Sequence, residues 1–383
     1  MSVRHKAYTG KRETCNVKSE LNATRLHVTR HPFYEKKEVQ DEKHFVNLIY
    51  EKNFLKVKGF FNYDDLEYGE NTTRSSTSGV DLQNSWQLGS QSELLAGFTY
   101  KYDHGDTTRY GKHHRNNYAP FLQYSCELFP GFTATFGARE QWVDQSEGKD
   151  HDKFCPQFQT LYRISPNFSW YINVGKAFKM PTFTQLYYQS PWMVGNPNLN
   201  PEKGWTYETG IKFRSPLFAF SLAPYYMKFK DKIEWQFNMA TYKYSPVNLS
   251  EFTNKGVEYN FQYFINNNWE FSLGGYWGDP EGENGKKYRA GPRAQAVPGI
   301  SYKGEKLKVN LNAMFTTNRE YGLKSFQTVG ANLSYRIGKG TLTMAVDNIF
   351  DRQNVISGKM SPTPYYEYYD MPRTVRIGYR FEF

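Results

Sequence analysis

The sequence predicts an all-β fold, a transmembrane antiparallel β-barrel of about 18 strands. Three observations predict it. Short segments alternate between apolar and polar residues, the connections between them alternate between very short and long, and aromatic residues are abundant. Aromatic residues make up 18% of the chain, the hydrophobic total is only 39%, and the mean hydropathy is -0.75. This composition suits many strands with one apolar face better than a compact soluble core.

The last segment of the chain, RTVRIGYRFEF, gives the clearest alternation. Its apolar residues all fall on one face of a strand: Val375, Ile377, Tyr379, Phe381 and Phe383. The residues between them are charged, hydroxylated or glycine. Charges on that second face would be costly in a sandwich core and are suited to a water-filled lumen. The same alternation recurs at 257–263, 269–277, 307–315 and 329–337.

Connection lengths support the barrel. Short turns are predicted near 89–92, 129–131, 165–167, 215–216, 265–268, 303–305 and 338–340. Long polar loops are predicted near 103–116, 144–153, 179–204, 278–293, 316–324 and 348–372. Tight turns on one side with long loops on the other are typical of outer-membrane barrels. The alternation places the first strand near 25–35 and the end of the chain on the short-turn side.

Composition and motifs exclude several other classes. Lys and Arg outnumber Asp and Glu by 48 to 38, a net charge of +10, but they are spread along the chain, which argues against nucleic-acid binding. No apolar run is long enough for a membrane-spanning helix. The three cysteines, Cys15, Cys126 and Cys155, include no CxxC pair. No catalytic triad, metal-hydrolase spacing or phosphate-binding loop is present, so we expect a protein that is not an enzyme and carries no cofactor.

Two motifs carry a family resemblance. The first runs from GKAFKMPT at 175–182 to GNPNLNPE at 195–202, and the second is DNIFD at 347–351. Both resemble signatures of TonB-dependent outer-membrane receptors and occur in that family's order. The matching positions are Gly175, Phe178, Pro181, Asn196, Pro197, Leu199, Pro201, Glu202, Asn348, Phe350 and the terminal Phe383. The resemblance covers roughly residues 20–383.

The resemblance implies a barrel of 22 strands preceded by a plug domain, a TonB box and a signal peptide. The N-terminal residues match none of these three segments, since they hold no apolar h-region and no small-residue cleavage site. We therefore expect the C-terminal barrel portion of a receptor, N-terminally truncated and without its plug. Residues 1–20 are interpreted as an N-terminal remnant and 21–383 as the barrel.

The resemblance also implies a function. Such receptors lie in the bacterial outer membrane and take up scarce, bulky nutrients such as siderophore–iron complexes or cobalamin, energised by TonB–ExbB–ExbD. Expected partners are membrane lipid, lipopolysaccharide, a small-molecule metal chelate and the barrel-assembly machinery, which reads an apolar C-terminal strand ending here in Phe383. Two alternatives remain at this point: a passive porin-like channel and a soluble all-β binding module.

Three sets of residues are candidate ligand sites. Tyr187, Tyr188, Trp192 and Met193, between the two halves of the first motif, could form an aromatic rim for a bulky ligand, or simply pack the loop. His104, His113 and His114, within one polar segment, could bind a metal or a metal chelate, or be solvated loop histidines. Asp64, Asp65 and Glu67 could supply oxygen ligands to calcium, although their spacing follows no recognised calcium loop.

Overall fold

The computed structural model describes residues 13–27, 38–147, 150–285, 292–317, 324–359 and 366–381. In these ranges one short α-helix, α1 (Phe183–Tyr187), and one 3-10 turn (Glu283–Gly285) interrupt an otherwise all-β chain. The strands are β1 (Glu13–His27), β2 (Glu38–Lys52), β3 (Leu55–Tyr68), β4 (Asn71–Gln87), β5 (Ser92–Thr107), β6 (Gly111–Phe129), β7 (Phe132–Gln145), β8 (His151–Ser165), β9 (Phe168–Lys179), β10 (Glu202–Arg214), β11 (Phe218–Lys230), β12 (Lys232–Asn238), β13 (Lys243–Leu249), β14 (Phe252–Phe264), β15 (Trp269–Glu281), β16 (Ala294–Lys303), β17 (Leu307–Thr317), β18 (Phe326–Ile337), β19 (Gly340–Asp347), β20 (Val355–Lys359), β21 (Tyr366–Tyr369) and β22 (Thr374–Phe381). None of the helical segments in the described part is long and apolar enough to span a membrane.

Eighteen of the strands in the described ranges belong to one sheet, which confirms the predicted all-β fold and its approximate strand number. The other four form two separate antiparallel hairpins, β12 with β13 and β20 with β21. The position of the first strand differs from the prediction. The alternation places the first strand near 25–35, whereas β1 spans Glu13–His27 and residues 28–35 lie outside the described ranges.

The chain divides into two compact units. The first comprises the described residues of 1–160, 174–205 and 229–250, and in it β1 to β7 pair antiparallel in chain order. The second comprises the described residues of 161–173, 206–228 and 251–383. In it β14 to β19 pair in the same way, and β19 then pairs with β22.

The predicted short connections all lie between consecutive strands. Antiparallel neighbours can be joined by a turn of two to five residues, so tight turns and chain-order pairing go together. Glycine occupies turn positions whose backbone is left-handed, such as Gly131 with a φ of 81° and Gly338 with a φ of 57°. Other residues are strained in this backbone conformation, so glycine is favoured there.

The two faces of the strands differ as the alternation predicts. On β22 the apolar face is exposed, with Ile377 73% exposed. The opposite face carries Arg376, whose Nη2 lies 2.7 Å from Asp347 Oδ2. In a transmembrane barrel the exposed apolar side chains contact lipid and the polar face lines the interior.

The predicted loop at 103–116 is wrong. β5 continues to Thr107 and β6 begins at Gly111, so only three residues connect them. The ladder runs on through pairs such as Asp103 with Arg115 and His104 with His114. Both faces of these strands are polar here, so the apolar alternation ends while backbone pairing continues. Alternation therefore reports where a strand contacts lipid and does not report where the strand ends.

The β12–β13 and β20–β21 hairpins are not predicted from the sequence. The segment 348–372 reads as an irregular loop, yet it contains β20 and β21. Both hairpins lie in long connections, between β11 and β14 and between β19 and β22. The first of them supplies Ile233 to the buried apolar cluster of the first unit, together with Leu186 and Leu199.

Candidate functional site

The connection between β9 and β10, residues 180–201, is an ordered structure that starts with a capped helix. Thr182 is the N-cap of α1, and its hydroxyl oxygen accepts a hydrogen bond from the Gln185 backbone N–H at 3.2 Å. The Gln185 side chain in turn accepts from the Thr182 backbone N–H at 2.8 Å. This reciprocal capping box satisfies helix-end donors and fixes where the helix begins. Pro181, from the first motif, is fully buried just before it.

The returning half of the connection packs directly on α1. Leu186 and Leu199 are buried against Ile233 of β12, and Tyr187 packs against this cluster. The Gly195 N–H donates to the Tyr188 carbonyl at 2.7 Å, and the Asn196 N–H donates to the Gln185 carbonyl at 2.9 Å. The backbone therefore folds back on the helix at Gly195.

The Asn residues of the motif attach the connection to the β12–β13 hairpin. The Asn196 side chain donates to the Pro246 carbonyl at 3.1 Å and accepts from the Asn198 N–H at 3.0 Å. The Asn200 N–H donates to Asn248 Oδ1 at 2.8 Å, and Asn248 Nδ2 donates to the Asn200 carbonyl at 2.9 Å. These side chains pair the Asn198 and Asn200 backbone groups, which lie outside the strands, and this is why a polar, proline-rich segment can be ordered.

Glu202, at the end of the connection, contacts both the β12–β13 hairpin and β9. Its carboxylate accepts a hydrogen bond from the Ile233 N–H at 2.8 Å, and Lys179 Nζ lies 3.8 Å from its other oxygen. Pro197 is exposed, while Leu199 and Pro201 are buried. Gly175 and Phe178 lie on β9, before the connection. The first motif therefore has a structural role as the anchor of this connection.

Two side chains of β6, Arg115 and His113, lie under α1. Arg115 is buried, donates twice to Gln145 Oε1 at 3.1 and 2.8 Å, and donates to the Pro181 carbonyl at 2.8 Å. Its guanidinium lies 5.0 Å from the centre of the Phe183 ring, a cation–π distance. Arg115 thus holds the first turn of α1 against the sheet.

His113, also on β6, contacts the last turn of the same helix. Its ring stacks on Tyr187 with the ring centres 3.8 Å apart, and Nε2 lies 2.8 Å from the Tyr110 carbonyl. Nδ1 is buried without a hydrogen-bond partner, and its distance to Glu147 Oε2 is 3.8 Å. The Tyr187 hydroxyl donates to the Glu147 carbonyl at 2.5 Å. Burial, and then the Glu147 carboxylate, raise the pKa of Tyr187, so its hydroxyl stays protonated and can donate.

The three predicted histidines do not converge. His104 and His114 are direct neighbours across β5 and β6, whereas His113 is opposite Gly105 and therefore points to the other face of the sheet. Among the described residues, no group of three His, Cys, Asp or Glu side chains is placed to hold a metal ion. The three histidines therefore do not form one metal site.

The predicted calcium ligands are also separated. Asp64, Asp65 and Glu67 lie on β3, where alternation puts Asp64 on the face opposite the other two. Asp64 lies 3.3 Å from Lys43 Nζ, and Arg74 lies 3.1 Å from Asp65 and 4.0 Å from Glu67. These cations pair with the carboxylates, and the three carboxylates do not converge on one point, so calcium binding here stays a prediction without geometric support.

An exposed aromatic surface does form beside the connection. We call it the aromatic platform, and its members are exposed apolar side chains of the connection, of the end of β12 and of the β12–β13 turn: Trp192, Phe237, Met239 and Tyr242. Trp192 is 74% exposed and Tyr242 is 73% exposed. Two backbone hydrogen bonds join the segments, from the Tyr244 N–H to the Trp192 carbonyl and from the Val194 N–H to the Tyr244 carbonyl, both at 2.9 Å.

The structure divides the predicted aromatic rim. Trp192 belongs to the platform and Met193 is half-buried beside it, bridged to Tyr244. Tyr187 instead packs on His113, and Tyr188 is half-buried next to it. Sequence reasoning missed Phe237, Met239 and Tyr242, and the signal that could have found them is an apolar cluster around the turn NMATY, where a solvated turn is normally polar.

The second motif is a separate anchor in the second unit. Asn348 is buried with a left-handed φ of 49°. Its Nδ2 donates to the Arg352 and Met371 carbonyls at 2.9 and 3.1 Å, and its Oδ1 accepts from the Arg352 N–H at 3.0 Å. Phe350 is exposed, and Phe383 lies outside the described residues.

Comparison with known proteins agrees with the family resemblance of the two motifs. Residues 18–349 match the family described as TonB dependent receptor-like, beta-barrel. The vitamin B12 transporter BtuB of Vibrio vulnificus is 23% identical over 295 residues, which cover 73% of this chain and 46% of the transporter. The chain thus spans about half the length of that curated relative.

Solved structures share the fold. The iron transporter FrpB of Neisseria meningitidis superposes with a TM-score of 0.73 at 13% identity, over 97% of this chain and 68% of FrpB. The ferric enterobactin receptor PfeA of Pseudomonas aeruginosa gives a TM-score of 0.74 at 15% identity, over 96% of this chain and 68% of PfeA.

Proposed function

The chain belongs to the TonB-dependent receptor-like β-barrel family, and from that premise we propose that it serves the uptake of a scarce, bulky nutrient of the siderophore–iron or cobalamin class. Receptors of this family lie in the outer membrane, and that is where this chain is located. The strands with one exposed apolar face are what such a location requires. Family membership favours a receptor over both a passive channel and a soluble binding module.

The relatives support this ligand class. The similar protein of known activity is named a vitamin B12 transporter, and similar folds belong to an iron transporter and a ferric enterobactin receptor. Vitamin B12 and ferric enterobactin share a metal held in a large organic framework. A receptor for them needs a broad contact area more than a single ion-binding pocket.

The aromatic platform is the observation that carries the proposal. The platform places exposed aromatic and Met side chains on two segments that backbone hydrogen bonds hold side by side. Such side chains are costly to leave in water and commonly mark a binding surface. Trp and Tyr offer large contact areas at a small entropic cost, and Met adapts its shape to the ligand. We assign ligand capture to Trp192, Met193, Phe237, Met239 and Tyr242, with Tyr188 beside them.

The buried side of the connection would keep that platform in place. Arg115 holds the first turn of α1 and His113 holds the last, while the motif asparagines fix the returning half of the connection. A platform on such a support loses little freedom when it binds, which favours affinity. His104 and His114 have no role in this proposal, and His113 acts through Tyr187.

The remaining roles follow from the family. We propose that the barrel runs from β1 to residue 383, with its start moved from residue 21 to Glu13, because β1 crosses the predicted boundary at residue 20 and pairs with β2 along its whole length. TonB–ExbB–ExbD energises receptors of this family in general, and we propose the same partner system for the whole protein. Lipid, lipopolysaccharide and the barrel-assembly machinery are its proposed membrane partners, and binding and transport, not catalysis, are its proposed activities.

Ligand binding by the purified chain in detergent tests the proposal. Cyanocobalamin and ferric enterobactin are titrated separately by calorimetry against the wild type, Trp192→Ala and Trp86→Ala. Trp86 is an exposed tryptophan on the apolar face of β4 and serves as the matched control. We expect at least one ligand to bind, with Kd raised roughly tenfold or more by Trp192→Ala, since truncating a central aromatic contact costs about 1–2 kcal/mol or more. Equal affinities in both variants, or no binding of either ligand, would reject the platform as the capture surface.

A further inference from the structure

Cationic side chains gather at the short-turn end of β16, β17, β18, β19 and β22, within the second unit. The register aligns them in rows across the strands. Lys303 of β16 lies directly opposite Lys308 of β17. In the next row, the Arg336 N–H donates to the Lys306 carbonyl at 2.8 Å, and Thr341 lies between Arg336 and Arg380. Both rows lie on the face that carries Arg376, opposite the exposed apolar face.

This arrangement is unfavourable without a counter-charge. Like charges directly opposite each other on neighbouring strands destabilise a sheet. Two of the cations are compensated, because Lys303 Nζ lies 2.7 Å from Glu270 and Arg376 lies 2.7 Å from Asp347. Among the described residues, no carboxylate oxygen lies within 4 Å of the charged nitrogens of the others: Lys306, Lys308, Arg336, Lys339 and Arg380.

Four of these cations surround one cavity. Its volume is about 240 Å³, and its walls include Lys306, Lys308, Arg336 and Lys339. Glu305 is the single acidic residue in the wall, and Ser334 and Thr341 add hydroxyl donors. This space holds several water molecules and is large enough for a small polyvalent anion.

The geometry points to a binding site at this cavity for a small oxyanion, a molecule bearing phosphate or carboxylate groups. The Arg336 guanidinium can engage two oxygens at once, and the three lysines supply mobile point charges around it. The bound anion would offset the repulsion between Arg336 and Lys306, so its binding would also stabilise the folded strands that carry these two side chains. The inference is independent of the nutrient and of the aromatic platform, which lies in the other unit.

Calorimetry with the full chain in a zwitterionic detergent at low ionic strength tests this site. Inorganic phosphate and citrate are the two probes, titrated separately. The test variant is the double substitution Lys308→Gln with Arg336→Gln, and Lys308→Arg with Arg336→Lys conserves the charge. Lys255→Gln is the matched control, since Lys255 is an exposed lysine of β14 in the same unit, on the face shared with Val257.

We expect saturable binding of at least one probe, weakened at least tenfold by the Gln pair. The charge-conserving pair should stay within about fivefold of the wild type and Lys255→Gln within about twofold, and added salt should weaken binding. Binding of phosphate alone or of citrate alone would identify the preferred oxyanion. The inference is overturned if neither probe binds the wild type, or if the Gln pair, folded as judged by circular dichroism, binds as well as Lys255→Gln does.

Discussion

Gly195 has no room for a side chain, and the substitution Gly195→Ala tests how the connection between β9 and β10 is held. An added β-carbon would lie 2.5 Å from the Leu186 carbonyl oxygen and 2.6 Å from the Tyr187 nitrogen. Both atoms belong to the backbone of α1, so they cannot rotate aside as a side chain would. The helix and the returning segment must therefore separate by roughly an ångström to reach normal contact.

The expected cost follows from this geometry. Overpacking a well-packed site costs typically about 1–3 kcal/mol, and immobile neighbours put Gly195→Ala at about 3 kcal/mol. Since about 1.4 kcal/mol is a factor of ten, the connection should open locally more than 100-fold more often. Hydrogen exchange measures this directly, because the amide protons of residue 195 and Asn196 are donated to the carbonyls of Tyr188 and Gln185.

The control is Gly59→Ala on β3, where an added β-carbon meets nothing within 4 Å. Peptides covering 183–201 should lose protection in Gly195→Ala and keep it in Gly59→Ala, while strand peptides such as those of β5 stay protected in both. Unchanged protection of 183–201 in Gly195→Ala would refute the reasoning. Equal loss in the two variants would show a general effect of replacing glycine.

Two further predictions concern the second motif and Tyr187. Asn348→Ala removes three hydrogen bonds at a left-handed position and should destabilise the connection after β19 by about 2 kcal/mol or more, so that protease cuts 348–373 faster. Asn348→Gly loses the same hydrogen bonds but relieves the backbone strain, so its rate of cleavage should fall between those of the wild type and Asn348→Ala. An Asn348→Ala variant as resistant to protease as the wild type would contradict this. Burial, then Glu147, raise the pKa of Tyr187 above 10.0, so its stabilising contribution is complete below about pH 10 and is lost as pH rises through the folded-state pKa. The difference in tyrosinate absorbance between wild type and Tyr187→Phe measures this, and a difference centred at pH 10 would disprove the shift.

The alternation of side chains along the sequence is enough to predict most of the strand pattern. The face of β22 that carries Val375 and Ile377 is exposed as predicted, and the turns near 129–131 and 338–340 lie where the pattern puts them. These features depend on residues that are close in sequence. Side chains along a strand alternate with a period of two, so each residue can lie on only one of two faces. The same signal failed at 103–116, where the strands leave the apolar environment and their outer residues become polar.

The candidate site was predicted only in part, since its members come from distant segments. Trp192 and Met193 lie between the two halves of the first motif, but the platform also needs Tyr242 from the β12–β13 turn. His113 reads in sequence as one of a histidine pair with His114, although adjacent strand residues face opposite sides of the sheet. Its partner is Tyr187, 74 positions later, and no local pattern encodes that contact.

The sequence by itself determined the fold class, the faces of the strands, the short turns and the two family motifs. Each of these is a local property, set by side-chain period, turn chemistry or a short run of residues. Only the tertiary structure decided that the first motif anchors a capped helix, that α1 covers Arg115 and His113, and that four cations at the ends of β17, β18 and β19 surround one cavity. Such contacts depend on strand register and on how long connections fold back, and these are fixed when the whole chain packs.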